Sequence, residues 1–421
     1  MRAVGGEIWL DLSRLLWRGL RGHLTGIDRV ELAYAGGLAA SVPDRLRFVI
    51  LNPAGRFVFL PRRATLAFVS ELSEVWRGGD WGRIRWAAAA LNAASFGMPG
   101  LPSLRLGHPF PAYLSVSHRN LDREGAVAAM LARTGAAFIP LIHDLIPIEN
   151  PEYARPGEEG RHLKRMATVS RLADAVIVNS AATRDAMRQH VSRHVPSLVA
   201  LLGVNPPPSG PPPPPPGRPY FLCVGTIEPR KNHLLLLHMW RDMAARLGDA
   251  VPELVLVGKR GWENENIVDL LDRCRAIRPH VRELSGVSDA ELSDLMRGAR
   301  AVLMPSFAEG YGLPVAEALA HGVPVLCSDL SAHREVGRSV PEYLAPLDAP
   351  SWGRAIMDYV PEESPRRAAQ LLRMPEWTRP DWADHVSAAL EFVDRVCGEV
   401  PMAARDRHEG AGLRGELVGA D

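Results

Sequence analysis

PSFAEGYGLPVAEALAHGVPVLCSD, residues 305–329, sets two carboxylates, Glu309 and Glu317, eight residues apart in an otherwise almost wholly apolar stretch. Pro314 suits the first position of a short helix and Gly322 its C-terminal stop. The spacing predicts about two helical turns over 315–321, with Glu309 in the loop before them and Glu317 in the first turn. A strand-like run, AVLMPS, leads into the segment, and a second, PVLCSD, closes it. The glycine-rich loop and the helix start expose backbone N–H groups, an arrangement that receives anions such as phosphate. A carboxylate beside a phosphate is repulsive unless it serves another part of the same ligand. Hydroxyls of a sugar or ribose fit that need, because an ionised carboxylate only accepts hydrogen bonds.

The same alternation runs through the chain in both directions. EIWLDL, RFVILN, AYLSVSH, AFIPLIHD and DAVIVNS read as strands before residue 205, and YFLCVGT and ELVLVGK join the two above after it. Continuous apolar strands separated by amphipathic helices imply parallel sheets covered on both faces. Between the halves lies NPPPSGPPPPPPGRP, residues 205–219, which supports neither helix nor ladder and reads as an extended linker. The expected fold class is therefore α/β, two Rossmann-like doubly wound domains in tandem. The expected bounds are 1–204, the linker 205–219, 220–375, a C-terminal amphipathic helix over 376–399 and a disordered tail over 400–421, where no periodic apolar pattern remains.

Doubly wound sheets bind ligands at the carboxyl ends of their strands. His118, His143 with Asp144, Asn179 with Ser180, Thr226 to Lys231, Lys259 and Glu309 all follow strand-like runs. In VGTIEPRKNHLLLL, residues 224–237, the strand gives way through Gly225 to a loop carrying Glu228, Arg230 and Lys231 before a helix, and adjacent cations there suit a diphosphate. Of 49 basic residues only Lys164, Lys231 and Lys259 are lysine, so a compact ammonium at two strand ends is a selective choice. Each residue also has a structural alternative: Glu317 can complement a helix dipole, Arg230 and Lys231 can be a solvated helix start, and for His118 the structural reading is the stronger. Near the N-terminus, Arg14, Arg18 and Arg21 flank Trp17 and Leu20, which fits either a basic surface for an anionic membrane or acceptor, or a solvated helix.

The chain of 421 residues is 47% hydrophobic with a formal net charge of +1, which gives no electrostatic reason to expect nucleic acid as a partner. Four scattered cysteines lack the spacing of a zinc site or disulfide framework and fit a reducing cytoplasm. No secretion signal is evident, and no uncharged run reaches the 18 or so apolar residues of a membrane span. Any membrane contact would be peripheral.

GTIEPRKN, LVLVGKRGW, VSDAELSDLMRGARAVLMPS and the Glu, seven residues, Glu pattern of EGYGLPVAE resemble the nucleotide-sugar-binding domain of retaining glycosyltransferase family 4. HDLIP at 143–147, ADAVIVNS at 173–180 and TGIDRVELAYA at 25–35 resemble that family's acceptor-side domain, while residues 55–110 match nothing in it. The resemblance implies a GT-B fold, two Rossmann-like domains facing a cleft, with the last helix returning to the first domain. It implies that Arg230 and Lys231 hold the donor diphosphate, that Glu309 faces the donor sugar and that Glu317 binds the ribose. Gly225, Thr226, Lys259, Gly310, Tyr311, Gly312 and Leu313 would surround the nucleotide-sugar, and His143 would line the sugar pocket from the opposite domain. Many members carry arginine directly after the strand-end glycine, where this chain has Thr226; Arg230 is expected to supply that charge. No Asp-x-Asp pair occurs, so neither a divalent metal nor another cofactor is expected. The implied activity is retaining transfer of a hexose, mannose favoured, from GDP-mannose or a UDP-sugar to a glycan or lipid-linked acceptor in surface polysaccharide biosynthesis. Attack from the face of departure is implied, with Glu309 as a transient nucleophile left open. A nucleotide-sugar epimerase and a noncatalytic nucleotide-sugar-binding protein are the alternatives.

Overall fold

The structure, a computed structural model, describes residues 5–22, 24–75, 79–103, 109–207 and 217–398. The proline run from 208 to 216 and the tail expected over 400–421 lie outside the described residues. Contacts divide the chain into two units, the first comprising Met1–Leu145, Glu159–Leu202 and Trp382–Asp421, the second Ile146–Glu158 and Gly203–Asp381.

In the first unit, β1 (Ile8–Asp11), β2 (Leu46–Leu51), β3 (Phe57–Phe59), β4 (Ala112–Ser115), β5 (Ala137–Ile142), β6 (Val176–Val178) and β7 (Ser197–Val199) form one sheet in the order β3-β2-β1-β4-β5-β6-β7. All neighbours are parallel except β2 and β3. In the second unit, β8 (Tyr220–Val224), β9 (Glu253–Val257), β10 (Val281–Leu284), β11 (Ala301–Met304), β12 (Val325–Ser328) and β13 (Glu342–Leu344) form an all-parallel sheet in the order β10-β9-β8-β11-β12-β13. That order reverses between β8 and β11, the switch point at which such sheets open a crevice for ligands. The strands beside it, β8 and β11, are buried along nearly their whole length and pack under Trp240, Trp352 and Tyr359.

Nine strands follow the apolar runs of the sequence. The four absent from that reading, β3, β7, β10 and β13, are the four sheet edges, and three of them are only half-buried. An edge strand meets solvent along one side, so it lacks the unbroken apolar run of a central strand.

Two further expectations are corrected. Residues Ile146–Glu158, expected within the first domain, pack with the second unit: Tyr153 stacks on Phe307 at 5.3 Å and its carbonyl accepts a hydrogen bond from Trp262. This proline-rich stretch has no apolar period that could have disclosed its neighbours. The helix of the opening stretch runs over Leu313–Ala320 with Pro314 in its first turn, so it begins earlier than the spacing predicts and Glu317 falls in its second turn. Gly312, at φ 98°, is able to cap the helix from the left-handed region and admits the earlier start.

The C-terminal helix, Trp382–Cys397, belongs to the first unit, where His385 bonds the Leu201 carbonyl and the Tyr34 hydroxyl. Among the described residues no helix is long and apolar enough to cross a membrane.

Candidate functional site

The site in the second unit is built by the two loops that flank the switch point. After β8 the chain turns at Gly225, whose carbonyl comes so close to Gly258 after β9 that a Cβ there would lie 1.9 Å away. The loop then makes a short 3-10 turn over Pro229–Lys231 and ends at Asn232, in the left-handed region at φ 56°, before the helix His233–Leu247. Three contacts fasten it to the loop after β11. The Phe307 N–H donates to the Arg230 carbonyl at 2.8 Å, Arg230 Nη1 donates to the Ala308 carbonyl at 2.8 Å, and Asn232 Nδ2 donates to the Pro305 carbonyl at 3.1 Å.

Charge is concentrated where the loops meet. Glu309 receives Lys231 Nζ on Oε1 at 2.6 Å and Arg230 Nη1 on Oε2 at 2.8 Å, while the Ser306 hydroxyl donates to Oε1 at 2.7 Å. Arg230 Nη2 also pairs with Glu228 at 2.6 Å. All four charged side chains are largely withdrawn from water, from 2% exposed at Glu228 to 17% at Arg230. Burial alone would push the Glu309 carboxyl up, but Arg230 and Lys231, helped by His333, outweigh it and hold the group well below the usual carboxylate range. Glu228 shifts the other way, because burial prevails over its two cations. The Lys231 stem lies across Gly225, with Cε 3.3 Å from where a Cβ would stand.

Arg230, Lys231 and Glu309, singled out from the sequence, are thus brought into one cluster, with Gly225 beneath it. Gly310, Gly312 and Leu313 lead from Glu309 into the helix; Glu317 is half-buried on it, and the Tyr311 ring is buried. Lys259 is not part of the cluster: its side chain is exposed, and only its carbonyl touches this region, accepting from the Ile227 N–H.

Four residues of the cluster were not recognised from sequence: Glu228 as an ion-pair partner, Asn232, Ser306 and His333. Asn232 carried a signal, since asparagine before a helix tolerates the left-handed region. His333 carried none. It is fully buried, its Nδ1–H donates to the Ser328 carbonyl at 2.8 Å, and its Nε2 has no hydrogen-bond partner. Its ring edge fills the space where a Gly312 Cβ would stand, 2.9 Å away, so it backs the loop from Glu309 to the helix. Burial lowers its pKa against the pull of Glu309.

In the first unit, His143 donates from Nε2 to the Val116 carbonyl at 2.9 Å, and its backbone N–H donates to His118 Nε2 at 3.0 Å. Burial, only partly offset by that carbonyl and Asp144, lowers the His143 pKa to about 4. The ring is therefore neutral near pH 7, with Nδ1 as its acceptor atom. His118 stands edge-on to both His143 and His162, with ring centroids 5.3 and 4.9 Å away, and serves as a structural acceptor. Arg14 and Arg18, read from the sequence as part of either a basic surface or a solvated helix, turn to the buried Asp28, at 2.6 and 3.4 Å. Among the described residues no group of three or more His, Cys, Asp or Glu side chains could hold a metal ion.

Two α/β sheets, the first parallel except at one edge and the second wholly parallel, with a buried charge cluster at the second sheet's switch point, make a doubly wound two-unit architecture. Residues 218–360 match the family model for glycosyl transferases group 1. The chain is similar in structure to sucrose-phosphate synthase from Thermosynechococcus elongatus, with a TM-score of 0.60 at 16% identity, covering 93% of this chain and 99% of that one, a likeness of GT-B fold. Within the second unit, residues 218–360 are therefore similar to the group 1 glycosyl transferases, and the fold as a whole is of the GT-B kind. Among curated proteins the chain is similar to O-antigen chain mannosyltransferase B of Escherichia coli, 33% identical over 163 residues, 39% of this chain and 42% of that protein. It is also similar to the serotype-specific mannosyltransferase WbdA of Escherichia coli, 27% identical over 237 residues, 52% of this chain and 29% of that protein. The chain thus spans less than half the length of these relatives.

Proposed function

We propose that this protein is a retaining glycosyltransferase that moves a hexose from a nucleotide diphosphate sugar to a glycan or lipid-linked acceptor in surface polysaccharide assembly. The observation that carries the reading is the Arg230–Glu309–Lys231 cluster at the switch point, where two cations meet a carboxylate beside the start of the helix Leu313–Ala320. Mannose is the favoured sugar because both curated relatives are named mannosyltransferases, and GDP-mannose is the favoured donor.

Glu309 pairs with both cations. A diphosphate entering at the helix start competes for them, and the ammonium, with three donors, can serve both anions at once. Glu309 is then partly released to accept hydrogen bonds from sugar hydroxyls. As the glycosidic bond breaks, negative charge grows on the departing diphosphate, and Lys231, Arg230 and the helix-start N–H groups stabilise it more than they stabilise the bound donor. Even when partly released, Glu309 keeps the Lys231 ammonium beside it and accepts from sugar hydroxyls, which lowers its nucleophilicity and supports attack by the acceptor from the face of departure, with a diphosphate oxygen taking the acceptor proton. Thr226, Lys259, Tyr311 and Glu317 are proposed to line the nucleotide-sugar. A role for His143 on the sugar rests on the family resemblance. No metal or other cofactor enters this scheme.

The test is a thermal-shift panel of GDP- and UDP-sugars, followed by product analysis with and without acceptor. Stabilisation by one donor and an α-linked product from an α-linked donor support the reading. An epimerised nucleotide-sugar formed without acceptor, or no shift with any donor, overturns it.

A further inference from the structure

Ahead of Gly203 the chain joins the second unit through Ile146–Glu158, which begins just beyond β5 and His143. Pro147, Pro151 and Pro156 lock φ at three points along it. A 3-10 turn over Pro151–Tyr153, closed by the Tyr153 N–H on the Asn150 carbonyl and the Ala154 N–H on the Pro151 carbonyl, both at 3.1 Å, sets Tyr153 at its end. From there Tyr153 touches two loops of the second unit. Its ring lies parallel to that of Phe307, with centroids 5.3 Å apart and planes 8° from each other, and its carbonyl accepts from Trp262 Nε1 at 3.1 Å. The Arg155 guanidinium stands over the same indole, 4.8 Å from its centroid. Both partners are tied in turn to the loop after β8. The Phe307 N–H donates to the Arg230 carbonyl, and the carbonyl of the next residue, Ala308, receives Arg230 Nη1. Beside Trp262, the Gly261 N–H and Asn264 Nδ2 each donate to the Ile227 carbonyl at 2.9 Å. Tyr153, Phe307 and Trp262 are half-buried and lie outside the apolar core of the second sheet.

We propose that Tyr153 is a positioning residue for the transfer reaction, its ring holding Phe307 in place and thereby setting Glu309, two residues further on, against Arg230 and Lys231. The inference rests on the transfer function proposed above. Aromatic pairs favour particular offset geometries, so the stack fixes where Phe307 stands as well as keeping it from water. A loop so fixed keeps its carboxylate in the orientation that the sugar requires, and a displacement of about 1 Å at a reacting group is enough to cost about a hundred-fold in rate. The contact is made by the ring, so the phenol hydroxyl is dispensable to it. Lys231 and the helix start at Leu313 are not held by Phe307, so a nucleoside diphosphate without its sugar should bind much as before when the stack is lost.

The experiment compares the parent chain with Tyr153→Ala, Tyr153→Phe, Phe307→Ala and the Tyr153→Ala, Phe307→Ala double variant, by amide hydrogen exchange of the loop 306–312 and by steady-state transfer. In Tyr153→Ala the loop should exchange faster, kcat should fall about ten- to a hundred-fold, and the dissociation constant of GDP or UDP should stay within about three-fold of the parent's. Tyr153→Phe should restore both exchange and kcat. The double variant should be no slower than Phe307→Ala alone, because Tyr153 acts through that ring. Unchanged loop exchange, an unchanged kcat, a loss that phenylalanine does not restore, or losses that add in the double variant would overturn the proposal. A raised KM at unchanged kcat would also overturn it, by making Tyr153 a ligand contact. A parent chain that transfers no sugar overturns the proposed function and this inference with it, and the exchange measurement, which needs no donor, tells the two failures apart.

Discussion

At the scale of single residues, Lys231 and Glu309 make opposite demands on the diphosphate. Lys231→Met removes an ammonium that Gly225 cradles and that Glu309 holds at 2.6 Å. We expect kcat/KM to fall about 10²–10³-fold, the usual effect of losing one preorganised donor at developing charge. Lys231→Arg should rescue little, because the planar guanidinium is wider than the ammonium that packs over Gly225. Glu309→Gln should separate binding from turnover. With their shared anion removed, Arg230 and Lys231 should hold a nucleoside diphosphate as tightly as before or more so, measured by calorimetric titration, while transfer falls by about 10² or more. Weaker nucleotide binding in Glu309→Gln would contradict the assignment of the cations. These three residues were legible in the sequence because they lie in two short motifs at strand ends. Glu228, Asn232, Ser306 and His333 were not, because what they do depends on which loop the fold lays beside them.

At the scale of elements, the central strands announce themselves by unbroken apolar runs, whereas β3, β7, β10 and β13 sit at sheet edges and escape notice for the reason that makes them edges. The close approach of the β8 and β9 turns is likewise a property of the pairing and not of either segment. Gly258→Ala would place a Cβ 1.9 Å from the Gly225 carbonyl, and we expect a loss of about 3 kcal/mol or more, read by denaturant unfolding. Gly312→Ala combines φ 98° with a contact of 2.9 Å to the His333 ring and should cost about 1–3 kcal/mol. If His333 is the obstacle, a Gly312→Ala, His333→Ala double variant should recover part of that loss. A double variant no more stable than Gly312→Ala alone would assign the cost to the backbone.

At the scale of the whole molecule, buried histidines tie stability to pH. His143 and His385 in the first unit and His233 in the second are each lowered to about 4 by burial, against about 6.5 when unfolded. Between those values the unfolded chain binds protons that the folded chain does not, so stability rises with pH and is lost on acidification. Each histidine can withdraw up to about 3 kcal/mol as pH falls from about 6.5 towards 4. Denaturant unfolding at pH 7 and pH 5 should show the loss, and His385→Gln, which keeps a donor and an acceptor but does not titrate, should show less of it. Glu309 adds in the same sense at lower pH, since its depressed pKa gives stability that disappears as the carboxylate protonates. The central claim is that the cations at the switch point of the second sheet grip a nucleoside diphosphate. Its most direct measurement is the dissociation constant of GDP and of UDP for the parent protein and for Lys231→Met of equal melting temperature. The account predicts binding of at least one of them, weakened about ten-fold or more in the variant; no binding of either, or identical affinity in both proteins, would contradict it.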